Sequence, residues 1–131
     1  MRSIVVIWHS QTGGTGAMVE ALLEGIAREP GVTASKVHAS AAGAADVLEA
    51  DAVVFATPEN LAAISGLLKD FFDRCYYELL ERVNGKPCAT MVCAGSDGSN
   101  AVRQLERITT GLRLRPMAEP DGSFVLDSSG H

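Results

Sequence analysis

Hydroxyl and glycine residues are concentrated in one short stretch near the start of the chain. They are Ser10, Gln11, Thr12, Gly13, Gly14 and Thr15. Backbone N–H groups and hydroxyls in such a turn can surround one anion, and a helix that follows adds the positive end of its dipole. Glycine also lets the backbone approach the anion and adopt positive φ. The pattern favours a phosphate-binding loop, although a turn that merely caps an ordinary helix would have a similar composition.

Two common phosphate loops do not fit this stretch. The Walker loop needs a lysine followed by serine or threonine after its last glycine, and no such pair occurs here. The dinucleotide fingerprint G-x-G-x-x-G would need a glycine at position 19 after Gly14 and Gly16, and Val19 stands there. Because the loop contains no cationic side chain, its hydroxyl groups would contact the anion in place of a lysine.

The elements around the loop follow from hydrophobic periodicity. Ile4–Trp8 is a continuous apolar run, typical of a strand buried on both faces, and apolar residues at helical spacing predict a helix over 14–28. The same patterns predict strands at 32–38, 51–57, 88–93 and 114–118, and helices at about 44–49, 65–80 and 100–112. Such alternation predicts a parallel sheet with right-handed crossovers. We expect residues 119–131 to be a loose tail and no helix to follow the last strand.

Length and composition bound the function. A chain of 131 residues with 47% hydrophobic residues predicts one domain, 1–131, with its own core. A net charge of −5 without long like-charge blocks argues against nucleic acid as a partner. No apolar run approaches the roughly 20 residues of a membrane span, and residues 1–10 lack the features of a signal peptide, so we expect a cytoplasmic protein without membrane contact.

The three cysteines suggest no covalent framework. Cys75, Cys88 and Cys93 are odd in number and form no C-x-x-C pair, so neither a disulfide framework nor a zinc site is indicated. We expect reduced, buried thiols.

Three loops leave the carboxyl ends of the predicted strands, at 9–15, 57–60 and 94–98. All three are rich in small or polar residues. In a doubly wound sheet, ligands bind outside these strand ends, where the strand order reverses. The shared placement of the three loops predicts one binding site at that edge.

The first loop resembles that of the flavodoxin family, in which Ser/Thr-x-Thr-Gly-x-Thr wraps the phosphate of FMN without a lysine. Residues 56–60 and 64–74 extend the resemblance to flavodoxin-like NAD(P)H-dependent FMN and quinone reductases, and Gly95–Gly98 matches their third flavin loop in position. The resemblance covers about residues 2–118. It implies an α/β fold, a flavodoxin-like doubly wound sheet of five parallel strands in the order 2-1-3-4-5, with helices on both faces. We expect this chain to depart from the family pattern in one respect, since the last helix of the fold is missing.

The resemblance also implies roles for the loops. The residues from Ser10 to Thr15 would hold the phosphate of FMN. The residues that would flank its isoalloxazine are Pro58, Glu59, Asn60, Gly95, Ser96 and Asp97. Hydride would pass from NAD(P)H to FMN, and reducing equivalents would go on to a quinone or another small acceptor. No catalytic side chain is required, since the flavin supplies the chemistry.

Several alternatives remain open at this point. Loops 57–60 and 94–98 contain no aromatic residue, whereas electron-carrier flavodoxins usually cover the ring with Trp or Tyr. A one-electron carrier that docks protein partners, and a module of the same shape without a cofactor, are the rivals. His9 is either hydrogen-bonded at a strand end or in contact with the cofactor. The missing helix would expose an apolar sheet face near strands one and five, which a second copy of the chain would cover.

Overall fold

The computed structural model describes residues 2–11, 13–94, 98–117 and 123–127, the last range by its backbone. The elements in chain order are β1 (Arg2–Trp8), α1 (Gly14–Ala27), β2 (Val32–His38), α2 (Ala44–Glu49), β3 (Ala52–Asn60), β4 (Ala63–Ile64), α3 (Gly66–Leu79), β5 (Pro87–Ala94), α4 (Ser99–Gly111), β6 (Arg115–Pro116) and β7 (Ser123–Asp127). Among the described helices, none has the length and apolar character needed to cross a membrane.

The main sheet has five parallel positions, in the order β2-β1-β3-β5 and then β6 with β7, and the two-residue β4 pairs antiparallel with the end of β3. The fifth position is shared by two segments. β6 pairs with the start of β5 at Pro87 and Cys88, and β7 pairs with its remainder from Thr90 to Ala94. This arrangement confirms the predicted order 2-1-3-4-5.

Two predictions at the end of the chain are wrong in detail. The fifth strand is predicted to run continuously over 114–118, but within 114–117 only Arg115 and Pro116 form it, and Ala118 lies outside the described residues. A loose tail is predicted over 119–131; within it Ser123–Asp127 form β7, and residues 119–122 and 128–131 lie outside the described residues. Without β7, the backbone groups of β5 beyond Cys88 would lack a strand on that side, and unpaired strand edges are unfavourable.

The sheet separates two cores of unequal size, in keeping with the two-residue alternation of strand side chains. One face packs against α2, α3 and α4, and we call it the three-helix face. Its central residues are Val5, Ile7, Val53, Phe55, Leu68, Phe71, Phe72, Val92 and Leu105. The other face packs against α1, and we call it the α1 face. Its residues are Val6, Val19, Val54, Ala56 and Ala89, with Ile4, Trp8, Leu22, Leu23 and Met91 half-buried beside them.

The cysteines divide between these environments. Cys75 and Cys88 are buried free thiols. Burial raises the pKa of the Cys75 thiol above its usual value. Burial also raises the pKa of Cys88, to about 12. Cys93 is also free but half-buried, because it lies near the end of β5 on the less covered α1 face. The prediction of buried thiols therefore holds for two of the three.

Candidate functional site

The topology brings the ends of β1, β3 and β5 to one edge of the sheet. Trp8 is in register with Ala56, and Pro58 with Cys93, so the loops that follow these three strands start side by side. The described residues of the three predicted loops thus lie at a common edge. Thr12, Gly95, Ser96 and Asp97 lie outside the described residues.

The first loop is a tight turn closed by its own serine. The hydroxyl oxygen of Ser10 accepts the backbone N–H of Gly13 at 3.1 Å. Gly13 has φ +97° and precedes the first residue of α1, so it occupies a left-handed conformation that favours glycine. Gln11 and Gly13 are exposed. The turn therefore leads directly into the N-terminus of α1, whose first turn contains no acidic residue.

Gly14 is needed for a different reason, close approach between α1 and β5. A Cβ at this position would lie 2.9 Å from Sγ of Cys93, below the distance that real Cβ atoms tolerate. The start of α1 is therefore seated against the end of β5. The two loop glycines serve different purposes, since Gly13 supplies a positive φ and Gly14 supplies space.

Thr15 carries the clearest sign of a missing partner. Only 2% of the residue is exposed, yet its Oγ1 has no hydrogen-bond partner in the described part of the chain. A buried hydroxyl without a partner costs roughly 1–3 kcal/mol. An anion held by this loop would accept that hydroxyl together with the free N–H groups at the start of α1. The loop therefore fits a phosphate group.

His9 lies at the end of β1, and its backbone N–H donates to the Ala56 carbonyl at 3.2 Å. Its side-chain Nδ1 is buried and, among the described residues, has no partner. The ring stands perpendicular to that of His38, with centroids 5.5 Å apart. Burial lowers the pKa of His9 below its usual value, and the charge of His38 lowers it further. The imidazole is therefore neutral at neutral pH.

The second loop is a hairpin that the sequence did not reveal. Beyond Pro58, β3 continues and pairs with the antiparallel β4, with Glu59 opposite Ile64 and Asn60 opposite Ala63. The two-residue turn is Leu61–Ala62, with φ of 49° and 63°. Turns of this kind usually contain Asn-Gly or Asp-Gly, so Leu-Ala gave no signal. We call residues 58–64 the β3–β4 hairpin.

Buried hydroxyls hold the base of this hairpin. The Thr57 hydroxyl donates to the Pro58 carbonyl at 2.8 Å and accepts the N–H of Ser65 at 3.0 Å. Ser65 in turn caps α3 by accepting the N–H of Leu68 at 3.1 Å. Both hydroxyl residues are fully buried. The start of α3 and the end of β3 are therefore fixed to each other.

Two amide side chains of α4 reach the same hairpin, and sequence reasoning did not identify them. The Asn100 amide nitrogen donates to the Ala62 carbonyl. Oε1 of Gln104 accepts the N–H of Ile64 at 2.8 Å. The partners are 38 and 40 positions apart along the chain, so no local sequence pattern indicates these contacts.

Known proteins share this architecture. A flavodoxin from Aquifex aeolicus is 32% identical over 110 residues, which is 83% of this chain, and the chain spans 60% of that protein's length. A WrbA-like flavodoxin from Agrobacterium tumefaciens superposes with a TM-score of 0.76 at 19% identity, over all of this chain and 86% of that one. The apo form of an NADH:FMN oxidoreductase superposes with a TM-score of 0.79 at 21% identity, over 98% of this chain and 77% of that one. These structures show that the fold is flavodoxin-like.

The family follows from the sequence match. Residues 26–129 match the model of the NADPH-dependent FMN reductase family. This range covers most of the chain, from the end of α1 through β7, although it begins after the phosphate-type loop. The chain is therefore a flavodoxin-like member of the NADPH-dependent FMN reductase family, whose cofactor is FMN.

Proposed function

We propose that this protein binds FMN noncovalently and passes reducing equivalents from NAD(P)H, through the flavin, to a quinone or another small acceptor. The observation that carries the proposal is the buried hydroxyl of Thr15, which has no hydrogen-bond partner among the described residues and follows a loop that leads into α1. A phosphate accepts such a hydroxyl, and riboflavin has no phosphate to offer. The family match supports the same cofactor.

In this proposal, the chain binds and orients the flavin, which supplies the two-electron chemistry when bound. The residues that hold the phosphate are Ser10, Gln11, Thr12, Gly13, Gly14 and Thr15. The residues that flank the isoalloxazine are Pro58, Glu59, Asn60, Gly95, Ser96 and Asp97. Segments 57–60 and 94–98 contain no aromatic side chain, so one face of the ring stays accessible to a nicotinamide or an acceptor.

The proposal extends to location and assembly. NAD(P)H is available in the cytoplasm, which supports a cytoplasmic protein. Only α1 covers its side of the sheet in the described part of the chain, and Ile4, Trp8 and Met91 are half-buried there. This uneven cover supports a homodimer in which a second copy packs on the α1 face.

Titration with FMN and riboflavin tests the cofactor proposal. We expect FMN to bind at least about tenfold more tightly, since a hydrogen bond to a charged group contributes roughly 1.5–3 kcal/mol. The measurement is quenching of flavin fluorescence by the purified chain. Equal affinity for the two flavins would show that the loop does not hold a phosphate.

Anaerobic stopped flow tests the reaction. We expect NADH or NADPH to reduce the FMN-loaded protein without a partner protein, and turnover to continue when a quinone is added. The flavin absorbance reports both phases. Failure of both nucleotides to reduce the protein, together with rapid reduction by a reduced partner protein, would instead support the electron-carrier alternative.

A further inference from the structure

We propose that Asn100 and Gln104 are positioning residues that hold the β3–β4 hairpin at a fixed place beside the isoalloxazine of FMN. The inference rests on the proposed function, because it is the bound flavin that gives the hairpin its role. It adds two residues of α4 to a site so far built from loops at the strand ends.

The hairpin turn needs external support. Leu61 and Ala62 both adopt positive φ, a backbone conformation that is strained for residues other than glycine. The Leu61 side chain is fully exposed, so it gives the turn no apolar packing. Strained turns persist only where surrounding contacts determine them. Buried hydroxyls hold the base of the hairpin, and in the described part of the chain side chains of α4 contact its turn.

The two amide side chains have opposite hydrogen-bonding roles, one as an acceptor and one as a donor. Glu59 and Ile64 are opposite each other one pair back from the turn, where the N–H groups point away from the partner strand. Gln104 accepts the outward N–H of Ile64 at 2.8 Å, whereas Asn100 donates to the carbonyl of Ala62 in the turn. Gln104 is thus required as an acceptor, and Asn100 is required as a donor.

The position of α4 explains why this arrangement matters for a flavin. α4 begins at Ser99, close after the segment 95–97 that is proposed to flank the ring together with residues 58–60. Asn100 is in the first turn of that helix. The helix therefore follows one proposed ring-flanking segment along the chain and contacts the turn of the other, so loss of either amide contact leaves the hairpin turn less firmly held.

The different polarities allow a sharp test with four variants, Gln104→Ala, Gln104→Glu, Asn100→Ala and Asn100→Asp. For each variant we measure the Kd of FMN and of riboflavin, the midpoint potential of bound flavin, and the Tm of the ligand-free chain. Arg107→Gln, at an exposed position of the same helix, is the matched control and should change none of these.

Gln104→Ala should raise the Kd of both flavins by about three- to tenfold, as expected for one hydrogen bond. The ratio of the two Kd values should stay constant, because the phosphate contacts are untouched. The midpoint potential should move toward that of free FMN. Gln104→Glu should keep the wild-type Kd of both flavins, because a carboxylate still accepts the Ile64 N–H.

Asn100→Ala should weaken the binding of both flavins as Gln104→Ala does. Asn100→Asp should weaken it as well, because a carboxylate cannot donate to the Ala62 carbonyl. The Tm of the ligand-free chain should change little, since a negative charge in the first turn of α4 favours the helix and offsets the lost contact. A loss of flavin binding at an unchanged Tm cannot be explained by general unfolding.

The inference is overturned if Gln104→Ala leaves the riboflavin Kd and the midpoint potential unchanged, if Gln104→Glu behaves like Gln104→Ala, or if Asn100→Asp binds flavin like the unmodified chain. Failure of the unmodified chain to bind either flavin would overturn the proposed function and this inference together. If the unmodified chain binds flavin and the alanine variants bind it with the same Kd and midpoint potential, this inference alone is overturned.

Discussion

Thr15 is deeply buried, and among the described residues its hydroxyl has no hydrogen-bond partner. Its replacement should therefore affect folding stability and FMN binding in opposite directions. Thr15→Val removes the hydroxyl but keeps the shape of the side chain. The ligand-free protein should be as stable as before or more so, because a buried hydroxyl without a partner is a penalty. FMN should bind about tenfold more weakly, since a charge-assisted bond is lost. Thermal unfolding and FMN titration measure the two effects.

The control for Thr15→Val is Thr109→Val in α4, whose hydroxyl already donates to the Leu105 carbonyl at 2.9 Å. It should leave FMN affinity unchanged. Riboflavin affinity should stay constant in both variants. A lower Tm for Thr15→Val with unchanged FMN affinity would show that the hydroxyl has an internal role and does not contact phosphate.

His9 should titrate below its ordinary value of 6.5, because burial and then the nearby charge of His38 both lower its pKa. NMR titration of the imidazole protons measures this directly. His38→Gln removes the second cause, so the pKa of His9 should rise toward its ordinary value. If His9 titrates at 6.5 or above in the unmodified chain, the ring is better solvated than its buried Nδ1 indicates.

The sign of the effect on stability follows from linkage. The unfolded chain binds a proton at His9 at a higher pH than the folded chain does. Stability is therefore complete above about pH 6.5 and falls as the pH drops below it, until the folded pKa is passed. The pH dependence of Tm in the His9→Gln variant should be flatter over this window.

The sequence predicts which residue types form the first loop but not what each residue does there. Ser10, Gly13 and Thr15 belong to a recognisable motif, yet the burial of Thr15 depends on how α1 packs on the sheet. Asn100 and Gln104 lie in a plain amphipathic helix. Their partners are backbone atoms about 40 positions earlier, so side-chain patterns contain no record of the contact.

At the scale of elements, the close approach of α1 to β5 limits the size of the side chain that position 14 can accommodate. Alanine favours a helix over glycine by up to about 1 kcal/mol. Here, however, its Cβ would lie 2.9 Å from Sγ of Cys93, and overpacking costs typically about 1–3 kcal/mol. Gly14→Ala should therefore lower the free energy of unfolding. Chemical denaturation of Gly14→Ala and of the double variant Gly14→Ala/Cys93→Ala measures the effect.

Cys93→Ala removes the clashing sulfur, so Gly14→Ala should be neutral or stabilising in that background. Gly25→Ala in the same helix is the matched control. A Cβ at Gly25 meets nothing within 4 Å, so alanine there should stabilise the protein by up to about 1 kcal/mol. If Gly14→Ala stabilises the protein as much as Gly25→Ala does, the helix start does not press on β5.

The sequence predicts long elements well because hydrophobic periodicity is their main cause. The strand over 32–38 and the helix over 44–49 were predicted with the bounds that the structure has, and α1, α3 and α4 follow their apolar stripes. β4 has two residues, too few for periodicity to appear. β7 is a short run whose place depends on a free position beside β5.

Contacts between residues far apart along the chain could not be predicted either, because they depend on the fold and leave no local pattern. The Lys86 ammonium donates to the carbonyls of Val47 at 2.7 Å and Ala50 at 2.6 Å, at the end of α2. It thereby satisfies carbonyls that a helix end leaves unpaired. Nothing near Lys86 in the sequence indicates this partner, which the fold alone brings into reach.

At the scale of the whole molecule, the two faces of the sheet are covered unequally. Three helices pack on the three-helix face, whereas in the described part of the chain only α1 packs on the other. The unequal cover of the two faces is visible in the burial of side chains along the single strand β5. Its residues toward the three-helix face, such as Val92 and Ala94, are buried, whereas Met91 and Cys93 on the α1 face are half-exposed.

This asymmetry predicts self-association through the α1 face. Light scattering after size exclusion should give a mass of twice the 13.8 kDa of one chain. Met91→Lys places a charge on the half-exposed face and should shift the mass toward one chain, because burying an unpaired charge in an interface is costly. Tyr77→Lys, at an exposed aromatic residue of α3, is the control and should leave the mass unchanged. If the unmodified protein has the mass of one chain at every concentration, the prediction is wrong. The cover that α1 gives to its face would then be sufficient for a monomer.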